Sequence, residues 1–317
     1  RKFSVGLIIN FMKKIYISAL LALLGISESM AQQDPHYTQY MYNQSVINPA
    51  YAGSREGLSL GLLHREQWSG LEGAPKTTTF FGNGRVGKKV GLGLSVISDK
   101  IGPVSENNIY ADFSYTLKLQ PGHNLALGLK AGMTMQQSDF FSEINGFVPD
   151  ANDPAFAENT SQSFFNVGAG AFYYTDKYYV GFSVPNFLQN TYVEKNNRKF
   201  GSDVMHMFLT GGYVFDLNEN WKFKPSAMVK MAAGAPFSAD VSANALYAKK
   251  LEFGLTYRLE DSFGAMINYA VLPNLRIGYA YDNVTSDLKT AATSSHEIIL
   301  LFDIYFKKRV SSSPRYF

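Results

Sequence analysis

From Gly57 onward the chain alternates apolar and polar residues with a period of two. Leu251, Phe253, Leu255, Tyr257 and Leu259 interleave with Glu252, Gly254, Thr256, Arg258 and Glu260. Leu275, Ile277, Tyr279 and Tyr281 interleave with Arg276, Gly278, Ala280 and Asp282, and Leu125 to Met133 repeat the pattern against Asn124, Ala126, Gly128, Lys130 and Gly132. Each run presents one face to an apolar medium and the other to polar or small side chains. About fourteen segments fit this template, from one near 57–67 to one near 294–306. Many run to about ten residues, the length a tilted strand needs to cross a bilayer, whereas sandwich strands are usually about five or six.

The connections alternate too. Short ones fall at Val86–Lys88, Gln120–Gly122, Thr175–Lys177, Leu217–Glu219, Lys249–Lys250 and Leu272–Asn274. Longer ones fall at Trp68–Ala74, Asp99–Ser105, Ser138–Gln162, Pro185–Asp203 and Asn283–Thr293, while two on the same side, near Ala232–Pro236 and Glu260–Asp261, are short. Outer-membrane barrels have short periplasmic turns and longer outer loops. The expected fold is all-β: a transmembrane antiparallel outer-membrane β-barrel of about 14 strands, with both termini periplasmic. Aromatics near strand ends, among them Tyr115, Tyr173, Tyr174, Trp221, Tyr247 and Tyr281, suit interfacial girdles.

The amino end changes the charge picture. Met12 begins MKKIYISALLALLGISESMAQ, with Lys13 and Lys14 before an apolar stretch and Ser29-Met30-Ala31 as a small-residue cleavage site. This is a signal-peptide pattern, so residues 1–31 are expected to be removed, with the native start at Met12. With Arg1, Lys2, Lys13, Lys14 and Glu28 gone, basic residues fall from 29 to 25 and acidic ones from 26 to 25. Net charge is then about zero, and no nucleic-acid footprint remains. No later run of about 18 apolar residues reads as a membrane helix.

Candidate chemistry adds little. There is no cysteine. The five histidines (His36, His64, His123, His206 and His296) share no metal-ligand spacing. No nucleophile-elbow, Walker or Rossmann motif survives inspection. The acidic loop 138–162 lacks the spacing of a dedicated calcium loop. The reading is a non-enzyme without cofactor or metal. Glycines at alternate positions, such as Gly91, Gly93, Gly168 and Gly170, leave lumenal space.

A barrel of about fourteen strands is too wide for its own side chains to fill. Residues 32–55 precede the first strand and read QQDPHYTQYMYNQSVINPAYAGSR. Its tyrosines offer rigid area with a hydrogen-bonding tip, Asn48-Pro49 sets a turn and Gly53 permits a bend. This segment is expected to act as a plug or a periplasmic docking strap. The expected organisation is therefore a signal at 1–31, the segment at 32–55, the barrel at 56–306 and a periplasmic tail at 307–317.

The block QQDPHYTQYMYNQSVINPAYAG, the following LGLLHREQWSGLEGAPKTTTF and the closing SSHEIILLFDIYF resemble the PorP/SprF family of Bacteroidetes outer-membrane proteins. The resemblance implies a place in the type IX secretion and gliding-motility machinery. It further implies retention or anchoring of surface proteins with a type B carboxy-terminal domain, such as gliding adhesins. Periplasmic ring lipoproteins and peptidoglycan-binding components would be partners, beside outer-membrane lipid. The candidate partner-binding or plug residues are Tyr37, Tyr40, Tyr42, Asn43, Asn48, Pro49, Tyr51, Arg65 and Trp68. A second reading is a channel or transporter for small or hydrophobic solutes, which would conduct in a planar bilayer.

Overall fold

The computed structural model describes residues 37–55, 57–139, 159–188, 191–195, 198–202, 204–232, 237–286 and 294–305. The expected signal at 1–31, the start at Met12, most of the acidic loop 138–162 and the tail 307–317 lie outside the described residues. A short helix α1 (Gln44–Ile47) and a 3-10 turn (Pro49–Tyr51) come first. The strands are β1 (Leu58–Glu66), β2 (Lys76–Val86), β3 (Val90–Ile101), β4 (Val104–Gln120), β5 (His123–Ser138) and β6 (Thr160–Tyr174). Then come β7 (Tyr178–Val184), β8 (Thr191–Lys195), β9 (Arg198–Ser202), β10 (His206–Tyr213), β11 (Phe215–Asp216) and β12 (Trp221–Ala232). Last are β13 (Ser238–Tyr247), β14 (Leu251–Arg258), β15 (Ser262–Leu272), β16 (Leu275–Val284) and β17 (Ser294–Ile304).

Fourteen of these close into one antiparallel barrel. Each pairs with its neighbour in sequence, except that β7 pairs with β10, β10 pairs with β12, and β17 returns to β1 over nine residue pairs. Outside the ring, β8 and β9 pair only with each other, and β11 is a two-residue extension against β12. Closure leaves no free edge, which a bilayer requires because it offers backbone groups no water.

The period-two pattern sorts the two faces. Phe253, Leu255 and Tyr257 of β14 point out while Glu252, Gly254, Thr256 and Arg258 are buried inside. Tyr173, Tyr178, Tyr213, Phe215 and Phe223 form a run of ring contacts at the short-turn rim, with Trp221 against Tyr247 nearby. Tyr174, expected in such a girdle, instead faces inward and is buried. The strand parity that turns Tyr173 outward turns its neighbour in.

The connection after β3 is shorter than expected. Asp99 to Ser105 read as a loop, but β3 runs to Ile101 and β4 starts at Val104, leaving Gly102-Pro103 as the turn. The ladder continues through Asp99↔Glu106 and Lys100↔Ser105. The strands outlast the apolar band, so apolar alternation ends before pairing does. At the opposite rim Ala248 and Lys249 both take positive φ, 49° and 59°, and form a primed hairpin turn without glycine.

Candidate functional site

Every residue from Tyr37 to Arg55 is buried, and all of them lie inside the barrel. Local chemistry sets their path. The Asn48 side chain accepts a hydrogen bond from the Ala50 N–H (3.0 Å), capping the 3-10 turn that Pro49 begins. Pro49 suits that first position, where its missing N–H is not needed. Gly53, at φ 68°, turns the chain toward β1.

The wall is shaped to this segment. The Asn48 amide donates to the Ala171 carbonyl on β6 (3.0 Å) and reaches the Phe182 carbonyl on β7 (3.4 Å). Ser183 donates to the Ile47 carbonyl (3.0 Å) and Ser114 to the Ala52 carbonyl. Glycines stand where the segment comes closest: a Cβ at Gly128 would overlap Ala50, one at Gly170 the Asn48 side chain, and one at Gly91 the Ala52 carbonyl. The space beside Gly91 and Gly128 is taken up by the segment's backbone, and that beside Gly170 by the Asn48 side chain.

Charges secure the start of the segment. Arg65 on β1 donates to the Thr38 hydroxyl (2.8 Å), to Glu297 (3.1 Å) and to Asp282 (2.8 Å). Glu297 in turn accepts from the Thr38 and Gln39 N–H groups at 3.0 and 2.9 Å. One guanidinium thus offsets two buried carboxylates, and both carboxylates spend their remaining capacity on the segment. Tyr42 donates to Glu252, which also accepts from Asn244 (2.7 Å) and Arg276 (3.2 Å). The Lys224 ammonium lies 5.4 Å from the centre of the Tyr42 ring. Tyr37 shares a hydrogen bond with Thr79 (2.9 Å) and Tyr40 donates to Ser226 (3.2 Å). Burial pushes the Tyr40 hydroxyl up to about 12, so it stays neutral and keeps donating.

At the segment's far end Arg55 and Ser59 both bond Asp303, at 2.8 and 2.7 Å. Arg85 donates to the Gly53 carbonyl (2.9 Å). Apolar contacts complete the fit. Tyr40, Met41, Val46 and Ile47 pack with inward-facing Leu63, Phe81, Ile299 and Leu301. Tyr51 meets Phe172 edge-on at 5.2 Å.

Eight of the nine candidate residues therefore sit at this interface. Tyr37, Tyr40, Tyr42, Asn43, Asn48, Pro49 and Tyr51 belong to the segment, and Arg65 receives it from the wall. Trp68 does not join them. It lies past the end of β1 in the first long-side turn, with φ 52°, and its N–H donates to Ser295 (3.2 Å). Its place in the same sequence block reflects the short distance along β1: it stands three residues past Arg65, at the long-loop rim. The wall residues Asp282, Glu297, Glu252, Asp303 and Arg85 were not among the candidates. Their signal was an ionisable side chain on the inward parity of a strand. Among the described residues no cluster of His, Asp and Glu is arranged to hold a metal.

A family model described as "Type IX secretion system membrane protein PorP/SprF" matches residues 29–302. No curated protein sequence matches the chain. Among solved structures, the Ralstonia pickettii toluene transporter TbuX is similar in fold, at 13% identity and a TM-score of 0.52, covering 84% of this chain and 93% of its own. The CymD monoaromatic hydrocarbon channel is similar at 14% identity and a TM-score of 0.51, with 89% and 95% covered. At these identities the likeness is one of barrel architecture.

Proposed function

Because the chain belongs to the type IX secretion system membrane protein PorP/SprF family, we propose that it is a non-enzymatic outer-membrane barrel that holds cargo with a type B carboxy-terminal domain, such as a gliding adhesin, at the cell surface. The observation that carries this reading is the filled lumen. Residues 37–55 are buried and tied to strands around the ring, from β1 and β2 through β6 and β12 to β17. A barrel filled in this way suits a fixed body that binds partners at its two rims better than a conduit for solutes. In the same reading the short turns, the entry to β1 and the end of β17 face the periplasm, where ring lipoproteins and peptidoglycan-binding components dock, and the long loops meet the cargo.

Deleting residues 33–47 removes packing area but no strand. At native expression level the barrel still inserts, surface display of the cognate adhesin falls, and single-channel current in a planar bilayer rises. Unchanged display together with unchanged current overturns the role given to the segment. A large current from the intact protein favours a solute channel instead.

A further inference from the structure

The inserted segment has a direction. Tyr37 shares a hydrogen bond with Thr79, the fourth residue of β2, and Thr38 and Gln39 donate their N–H groups to Glu297, the fourth residue of β17. Both of these strands begin at the long-loop rim. Thr38 also accepts from Arg65, next to last on β1, and donates to Asp282, third from the end of β16, and those two strands end at the same rim. The other end of the segment lies at the short-turn rim. Arg85, next to last on β2, donates to the Gly53 carbonyl, and Arg55 donates to Asp303, next to last on β17. On each strand the two contacts are six residues apart, from Thr79 to Arg85 and from Glu297 to Asp303. At ~3.4 Å per residue and a tilt of ~40°, that is a descent of roughly 16 Å along the barrel axis.

Below Thr38 the lumen is taken by the segment itself and by Leu63, Phe81, Ile299 and Leu301 packed against it. Beside Tyr37 there is still room: a recess of about 70 Å³ is lined in part by Lys230, Ser238 and Asp240. All three stand within three residues of the long-loop ends of β12 and β13. The chain ahead of Tyr37 therefore leads toward the long loops. With 1–31 removed as the expected signal, five residues, 32–36, precede Tyr37, and they lie outside the described residues. Arg65 is three residues from Trp68 at the rim, roughly 8 Å along the axis, and four extended residues reach about 13 Å. We propose that the segment enters by the long-loop mouth, so that the amino end of the processed chain stands among the long loops and is part of the surface an external protein meets. An even strand number puts the start of β1 and the end of β17 on one side, but it does not bind a segment that doubles back through the lumen. The path of the segment stands on its own contacts; that the long-loop mouth is the external one rests on the sidedness given under the proposed function.

The chain has no cysteine, so Gln33→Cys supplies a single thiol. Intact cells are treated with an impermeant biotin–maleimide and then with streptavidin, and both adducts are scored on the barrel purified afterwards. Glu72→Cys, in the first long loop, and Lys88→Cys, in the first short turn, serve as references for the two rims. The expected result is that Gln33→Cys is biotinylated and holds streptavidin to an extent comparable with Glu72→Cys. Reaction only in step with Lys88→Cys, after the outer membrane is opened, overturns the proposal. So does reaction only after denaturation, which would leave the amino end sealed in the lumen, and so does biotinylation without streptavidin, which would put it beyond the reach of a protein. If Glu72→Cys and Lys88→Cys exchange patterns, the sidedness of the barrel fails, while Gln33→Cys still reacting in step with Glu72→Cys upholds the path of the segment. If Gln33→Cys does not give a heat-modifiable barrel, Asp34→Cys carries the same measurement.

Discussion

At Arg65 one guanidinium serves two carboxylates and a threonine, all inside the barrel. Arg65→Met leaves Asp282 and Glu297 buried without their cation, and removing one partner of a buried pair costs about 3–5 kcal/mol. The expected outcome is a lower denaturant midpoint for the barrel, read by loss of heat-modifiable migration. A triple change with Asp282→Asn and Glu297→Gln should recover much of the loss, because the stranded charges are then gone. Asn48 makes a second residue-scale case: Asn48→Ala strips a cap and the bond to the Ala171 carbonyl. Burying one unsatisfied polar group costs about 1–3 kcal/mol, and protease protection of the segment should fall before the barrel itself weakens. Asn48, Tyr42 and Arg65 were legible because they crowd into one short block. Their partners were not. Glu297 lies 232 residues from Arg65, and alternation tells which face a side chain takes without telling which strand comes to stand beside it.

The strands were read well wherever one face meets lipid. Leu255 is 67% exposed on the outer face of β14, and Leu255→Arg should cost about 2–4 kcal/mol at mid-membrane, measured as a shift in folding midpoint in lipid vesicles. The inward neighbour, Gly254, is backed by Met266: a Cβ there would stand 2.6 Å from the Met266 side chain. Inward positions were harder because the lumen is not uniformly polar. Leu63, Phe81, Ile299 and Leu301 are apolar and inward, facing the segment rather than water. The close approaches were also hidden, since a glycine in a strand reads the same beside water or beside backbone. Gly128→Val should therefore push residues 49–51 off the wall. The expected result is a retained heat-modifiable barrel with a several-fold rise in single-channel current.

Across the whole molecule, alternating loop length was the strongest sequence signal, and it divides the barrel into a long-loop rim and a short-turn rim. The sidedness we propose predicts that a cysteine at Glu72 reacts with an impermeant maleimide on intact cells while one at Lys88 does not; both positions are exposed in the structure. The opposite pattern inverts the molecule and moves the partner surfaces with it. The β8–β9 hairpin was not legible, because Pro185–Asp203 read as one long loop. One further consequence follows from the anchoring of the segment. Thr38 and Gln39 precede every strand, yet the carboxylate that receives their N–H groups, Glu297, is 259 and 258 residues downstream on the last one. Contacts between such distant residues form late. The part of the chain that enters the periplasm first thus finds its seat only after the ring has shut, so its docking marks the completion of assembly, and a barrel arrested before β17 keeps that tyrosine-rich stretch on display to the chaperones and proteases that sort unfinished chains.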